Sequence, residues 1–227
     1  MRENERAVTI PGDVRLEGVL HAPALEVLPA AVVVCHPHPM YGGEMSHPMV
    51  VAIARELAEH GMWALRFNFR GAGESEGNPS EGPEAADDIG AALAFLDREV
   101  GGGRRLAVAG YSFGATMALV NAAREQPSPA RALALVGLPV RFPGLRPPNL
   151  ALIKERGLPV LAVSGDADEF GPPQLVAKAL APLGAGVRLA TLAGADHSYA
   201  GRWEEVARRV AEFMLEKLGE SGAEEVP

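Results

Sequence analysis

Ser112 stands in Gly110-Tyr111-Ser112-Phe113-Gly114, between Leu106–Ala109, an apolar run that reads as a buried strand, and Ala115–Val120, which reads as a helix. A serine on so tight a strand-to-helix turn is held in strained backbone with its hydroxyl projecting above the sheet. The helix that starts there aims its N-terminal N–H groups at the same spot, where they stabilise a developing negative charge. A serine hydroxyl is a weak nucleophile at neutral pH. It needs a base within hydrogen-bond reach, and the base needs an orienting acid. Candidates for both fall after later apolar runs: Asp166 and Asp168 after Leu158–Ser164, and His197 after Val187–Leu192. Histidine suits the base because its ordinary pKa lies near working pH. A phosphate-cradling reading of the Gly-rich turn fails because no lysine follows it.

These residues have to be delivered by alternating strands and helices. Ala7–Ile10 and Arg15–His21 flank Pro11-Gly12-Asp13 and read as an antiparallel hairpin. Ala30–Cys35 is continuously apolar, as in a strand covered on both faces. A helix follows with Ser46 as expected N-cap and Pro48 in its first turn; Val50, Ile53, Ala54 and Leu57 share one face. Met62–Phe69 reads as the next strand. Pro83 opens a helix striped by Ile89, Leu93, Leu96 and Val100. Arg131–Leu138 is a further strand, and 139–157 is proline-rich and mostly loop, with one helical turn at Leu150–Glu155. A helix over Pro172–Leu180 and a closing helix with Val206, Val210, Phe213 and Met214 complete the set. The alternation implies a mostly parallel α/β sheet of about seven to eight strands with helices on both faces. No repeat or low-complexity linker interrupts it, so residues 1–227 read as one domain, with 221–227 as a frayed tail. In such sheets ligands bind beyond the carboxyl ends of the strands, where Ser112, Asp166, Asp168 and His197 fall.

Bulk properties exclude several classes. At 48% hydrophobic and 22% charged the chain can bury a large core. A net charge of −8 with no basic stripe argues against nucleic acid as partner. The charged start Met1–Arg6 leads into no apolar segment, so no signal peptide is expected, and no apolar run is long enough to span a bilayer. Cys35 is the single cysteine, which excludes an internal disulfide and suits a reducing, cytoplasmic compartment. Within a buried strand it reads as an inert core residue.

Five segments in order carry a family resemblance: Cys35-His36-Pro37-His38-Pro39, Arg66-Phe67-Asn68-Phe69-Arg70-Gly71-Ala72-Gly73-Glu74-Ser75, the Ser112 turn, Gly165-Asp166-Ala167-Asp168 and Gly194-Ala195-Asp196-His197. Over about residues 15–218 the chain resembles an α/β-hydrolase of the small, lidless, dienelactone-hydrolase-like or esterase-like kind. The order Ser, Asp, His is that of the superfamily. The resemblance implies Asp168 as the acid, since the acid commonly closes a G-x-x-D segment. Asp166 is then a turn-fastening residue, and Asp196 a loop residue. It implies Phe113 as one backbone donor of an oxyanion hole. The second donor is expected from the loop after Cys35, where Pro37 and Pro39 have no N–H, which favours His38, with Met40 or Tyr41 as fallback. The segment is similar to an H-G-x-P loop but carries Pro37 where the family often has glycine, and His38-Pro39 is a candidate for a cis bond. Arg70 and Ser75 resemble a loop that braces the rim of the site; the family often has aspartate where Asn68 stands.

The chemistry this implies is that of a serine hydrolase acting on a small soluble ester-type substrate through an acyl-enzyme intermediate, with Ser112, Asp168 and His197 as catalytic residues. The shortness of 139–157 leaves no room for a large lid and favours an open site. Tyr41, Phe142, Leu145 and Leu150 are candidates for an apolar substrate wall. Thioester or amide hydrolysis uses the same residues, and a non-catalytic binding protein of the same fold is the alternative of another class. Dehalogenases and epoxide hydrolases of the fold need aspartate at the turn, against Ser112. No cofactor is expected. His36, His38 and His47 offer an H-x-H pair with no third ligand at recognisable spacing, so no metal is expected either. The partners expected are a small-molecule substrate and, as an oligomer, a homodimer; membranes are not among them.

Overall fold

The computed structural model describes residues 2–24, 26–124, 128–141 and 148–219. Strand β3 (Ala30–Cys35) has all six residues buried. Its alternate side chains serve two separate cores: Ala31, Val33 and Cys35 on one face, Ala30, Val32 and Val34 on the other. Strand β5 (Arg105–Tyr111) does the same, with Leu106 and Val108 opposite Ala107, Ala109 and Tyr111. The predicted two-sided burial is therefore met residue by residue.

Among the described residues eight strands form one sheet. Besides β3 and β5 they are β1 (Glu5–Ile10), β2 (Leu16–His21), β4 (Trp63–Phe67), β6 (Ala130–Val136), β7 (Val160–Gly165) and β8 (Val187–Leu192). Their order is β1-β2-β4-β3-β5-β6-β7-β8. The β1–β2 and β2–β4 pairs are antiparallel; every later pair is parallel. Helices α1 (Pro48–Glu59) and α6 (Trp203–Leu218) cover one face. Helices α2 (Pro83–Glu99), α3 (Phe113–Ala122), α4 (Ala151–Glu155) and α5 (Pro173–Leu180) lie on the other. Among the described residues no helix is long and apolar enough to cross a membrane.

Three local readings are corrected. The cap of α1 is His47, not Ser46: its Nδ1 accepts from the Met49 N–H at 3.2 Å, while the Ser46 hydroxyl donates to Glu44. An imidazole nitrogen one residue before the helix reaches the same orphan donor that a serine oxygen serves. Strand β6 stops at Val136 because Gly137 turns the chain at φ 56°. No cis peptide bond occurs among the described residues, so the His38-Pro39 bond is trans. The expected frayed tail, 221–227, lies outside the described residues.

The turn that carries Ser112 is set by close packing. A Cβ on Gly114 would lie 2.5 Å from the Cys35 carbonyl oxygen, and one on Gly110 would lie 2.3 Å from that of Gly114. Both are backbone obstacles, so α3 approaches β3 and β5 only because these positions lack side chains. Gly114→Ala is therefore expected to destabilise by about 2–3 kcal/mol, an overpacking cost. In a thermal melt this is a fall of roughly 5–10 °C; an unchanged midpoint would show that α3 can shift freely.

Buried titratable groups make the fold acid-sensitive. Burial lowers the pKa of both His21 and His36 to about 4. Between pH 6.5 and 4 the unfolded chain binds protons that the folded chain excludes, so stability is present in full above pH 6.5 and drops as pH falls through that window. Each group contributes up to about 3 kcal/mol. Glu5 extends the loss to lower pH. Burial pushes its carboxyl up, but the Arg55 hydrogen bond and the Arg2 N–H outweigh it and hold the pKa at about 2. Urea midpoints measured at pH 7.5 and 4.5 check this; equal midpoints would exclude it.

Candidate active site

Residues 112, 168 and 197 come together at the carboxyl ends of β5, β7 and β8. Ser112 has φ 54° and ψ −114°, a positive-φ conformation that residues other than glycine rarely adopt and the strain expected of so tight a turn. It precedes α3, yet its hydroxyl does not cap the helix. The Oγ atom instead lies 2.9 Å from His197 Nε2. On the other side of the ring, His197 Nδ1 lies 2.9 Å from Asp168 Oδ2 and 3.0 Å from Oδ1. A buried carboxylate on Nδ1 places the proton there and leaves the Nε2 lone pair toward the serine. Asp168 is 1% exposed. Its Oδ1 also accepts from the Phe170 and Gly171 N–H groups, each at 2.9 Å, so the carboxylate is fixed before it meets the histidine.

The loops that carry Asp168 and His197 are fastened to each other. Asp166 N–H donates to Leu192 O and Ala167 N–H to Ala195 O, both at 3.1 Å. Asp166 Oδ1 accepts from the Gly194 N–H at 2.6 Å. Asp166 thus fastens the turn that leads to Gly194. Asp196 accepts from the backbone and hydroxyl of Ser198, as a loop residue does.

The loop after β3 folds back as a short 3₁₀ turn over Pro39–Tyr41. His38 O accepts from the Tyr41 and Gly43 N–H groups, and His38 Nδ1 accepts from the Met40 N–H at 3.2 Å. Both fallback donors, Met40 and Tyr41, are thereby committed within the turn. His38 Nε2 meets Glu81 Oε1 at 2.8 Å. The His38 ring packs on Phe113, with centroids 4.9 Å apart, which brings this loop against the first turn of α3.

A cavity of about 400 Å³ opens over Ser112, lined by Pro37, His38, Tyr41, His47, Tyr111 and Phe170 besides His197 and two glycines. Tyr41 stands at its rim, 75% exposed. Phe142 and Leu145 lie outside the described residues. Leu150 is buried in the core beside α4 and does not line this cavity. Arg70 and Ser75 act as braces: Arg70 pairs with buried Asp88 through its side chain and its backbone N–H, and the Ser75 hydroxyl donates to Asn68 O at 2.7 Å. Asn68 in turn accepts from the Met45 N–H at 2.7 Å, below the cavity loop.

Several residues of the site carried no signal in the sequence. Tyr111 donates its hydroxyl to His197 O at 2.8 Å, and Phe170 packs edge-on against the His197 ring at 4.9 Å. Tyr199, fully buried at φ 49°, accepts from Gly165 N–H and donates to Val163 O, which ties the loop that carries His197 to β7. Tyr111, as the variable second residue of its pentapeptide, was the one such position a motif touched. His47 lines the cavity with its ring 5.2 Å from that of Tyr111, and burial keeps its pKa below the usual value. The three histidines His36, His38 and His47 are thus each bound to backbone. Among the described residues no three His, Cys, Asp or Glu side chains cluster where they could hold a metal ion.

Residues 30–215 match the family model described as an alpha/beta hydrolase domain. A solved alpha-beta serine hydrolase homologue from Coxiella burnetii is 28% identical, with a TM-score of 0.80 over 94% of this chain and 98% of that one. A Xanthomonas campestris protein, described as a serine hydrolase without lid, is also 28% identical, with a TM-score of 0.78 over 95% of each chain. An uncharacterized protein of Rickettsia prowazekii is 36% identical over 105 residues, 46% of this chain. The chain spans between 44% and 63% of the length of the curated relatives it matches.

Proposed function

Because the chain belongs to the alpha/beta hydrolase domain family, we propose that it is a serine hydrolase that cleaves a small ester through an acyl-enzyme intermediate. The observation that carries the reading is the hydrogen-bonded line from Ser112 Oγ through His197 to Asp168, 2.9 Å at each link. His197 Nε2 takes the Ser112 proton as Oγ attacks the carbonyl carbon. Negative charge gathers on the former carbonyl oxygen, which receives N–H bonds from Phe113 and His38. As the tetrahedral centre collapses, His197 returns the proton to the leaving alcohol, and the acyl group stays on Ser112. A water molecule then gives a proton to His197 as its oxygen attacks the acyl carbon; when this second tetrahedral centre collapses, the C–Oγ bond breaks, His197 returns the proton to Ser112 Oγ, and the acid is released. Asp168 stabilises the imidazolium at both steps and is not itself protonated.

The cavity supports a small, largely apolar acyl or alcohol group, since it is bounded by the rings of Tyr41, Tyr111 and Phe170. The relatives described as serine hydrolases, one of them without a lid, support the same chemistry at an uncovered site. A fluorophosphonate probe tests the reading. It labels the wild-type protein, and labelling disappears in Ser112→Ala and falls sharply in His197→Ala. An unlabelled wild type overturns the proposal; label surviving Ser112→Ala moves the nucleophile elsewhere.

A further inference from the structure

Of the two fully buried histidines, His21 lies on β2 away from the site and His36 lies directly behind the loop that carries His38. His36 directly follows β3 and is fully buried. Its Nε2 accepts the Phe69 N–H at 3.0 Å, so in the neutral ring the proton sits on Nδ1. Nδ1 therefore donates to the Pro37 carbonyl oxygen, 2.6 Å away. Gly43 also packs on that carbonyl: a Cβ there would lie 2.1 Å from the oxygen. The Pro37 C=O and the His38 N–H belong to one planar trans peptide and point in opposite directions. Fixing the carbonyl inward turns the N–H outward. The rings of His36, Phe69, Phe113 and His38 pack in sequence, with centroids 4.9, 5.3 and 4.9 Å apart, so this peptide is coupled to the α3 end that carries the Phe113 N–H.

We propose that His36 is a positioning residue: by holding the Pro37 carbonyl it aims the His38 N–H at the oxyanion formed beside Ser112. This rests on the serine-hydrolase reading. Burial, which lowers the His36 pKa to about 4, keeps the ring neutral and the tautomer fixed through the neutral pH range.

Two near-isosteres separate the aiming bond from simple packing. In His36→Asn an amide N–H stands about where Nδ1 does, which keeps the bond to Pro37 and loses the one to Phe69. In His36→Gln a carbonyl oxygen reaches about where Nε2 does, which keeps the bond to Phe69 and loses the one to Pro37. Each loses one buried hydrogen bond, so thermal midpoints fall alike. Their kcat values for a p-nitrophenyl ester are expected to differ: His36→Gln falls by about 10- to 100-fold with KM within about threefold, and His36→Asn recovers most of the loss. Affinity for a trifluoromethyl ketone, which forms the oxyanion adduct, follows kcat and not KM. Equal kcat in the two variants overturns the proposal. If neither variant folds, Gly43→Ala, whose Cβ would press on the same peptide, decides: a loss of tenfold or more in kcat supports the proposal, and a smaller loss or none overturns it. A wild type that neither hydrolyses the ester nor takes the fluorophosphonate label overturns the serine-hydrolase reading instead.

Discussion

Ser112→Ala is expected to lower kcat for ester hydrolysis by about 10⁴- to 10⁶-fold while leaving the fold intact. The loss is large because the serine acts as part of a unit. Without Oγ, His197 has no proton to take, and the covalent route closes altogether. What survives is the orienting effect of the cavity and its backbone donors, a small residue of rate over water. Stability follows a different rule. Position 112 is held at φ 54°, which costs alanine about as much as serine, and the Ser112 hydroxyl makes no helix cap to lose. The thermal midpoint of Ser112→Ala should stay within roughly 2 °C of wild type. Glycine has no such penalty at positive φ. Ser112→Gly should therefore melt higher, by an amount worth about 1 kcal/mol, and be as inactive as the alanine variant. Activity above one part in about 10³ in Ser112→Ala would move the nucleophile to another side chain. A large fall in its midpoint would mean that the serine was held for packing.

What the sequence disclosed follows from which interactions are local. The apolar runs of β3 and β5 are written in consecutive residues, and so is the change from strand to helix at Ser112. The order of serine, acid and histidine is visible because each follows its own strand. The placement of β4 between β2 and β3 is not visible, because it depends on pairing between residues about 45 positions apart. The site's wall was harder still. Tyr111, Phe170 and Tyr199 meet His197 or its loop only after three strand ends converge; Tyr111 falls at a variable position of the Ser112 turn, and nothing in the immediate sequence marks the other two. The role of His47 as a cap was hidden by Ser46, the better cap by residue type, whose hydroxyl goes to Glu44. Glycines told more than their number suggests: Gly114 and Gly165 stand where a Cβ would collide with the backbone of another strand or loop, and Gly43 where it would collide with an earlier stretch of its own loop. In sequence such a glycine looks the same as Gly101 or Gly157, which turn the chain in open space.

The choice between Asp168 and Asp166 yields the second large effect. Asp168→Asn is expected to cut kcat by about 10³- to 10⁴-fold, a barrier increase of about 4–5.5 kcal/mol. The reason is the direction of one proton. Asp168 Oδ1 accepts the N–H groups of Phe170 and Gly171, and both bonds require an oxygen. In the variant the amide oxygen is drawn to that side, and the amide NH₂ is left facing His197 Nδ1. A donor there makes Nδ1 the acceptor and moves the ring proton to Nε2, so the histidine turns an N–H toward Ser112 where a lone pair is needed. The side-chain volume is unchanged, so the loss appears in kcat at nearly constant stability. Asp166→Asn is the matched control. Its oxygen holds the Gly194 N–H at the exposed end of the loop, and an amide oxygen still accepts that bond. Losing the charge weakens it by about 1 kcal/mol, felt as a small drop in midpoint and less than about threefold in kcat. Rates of one p-nitrophenyl ester with the two variants side by side decide the matter. If Asp166→Asn shows the larger fall, the acid is Asp166, and the hydrogen bonds between Asp168 and His197 serve only to hold the loop.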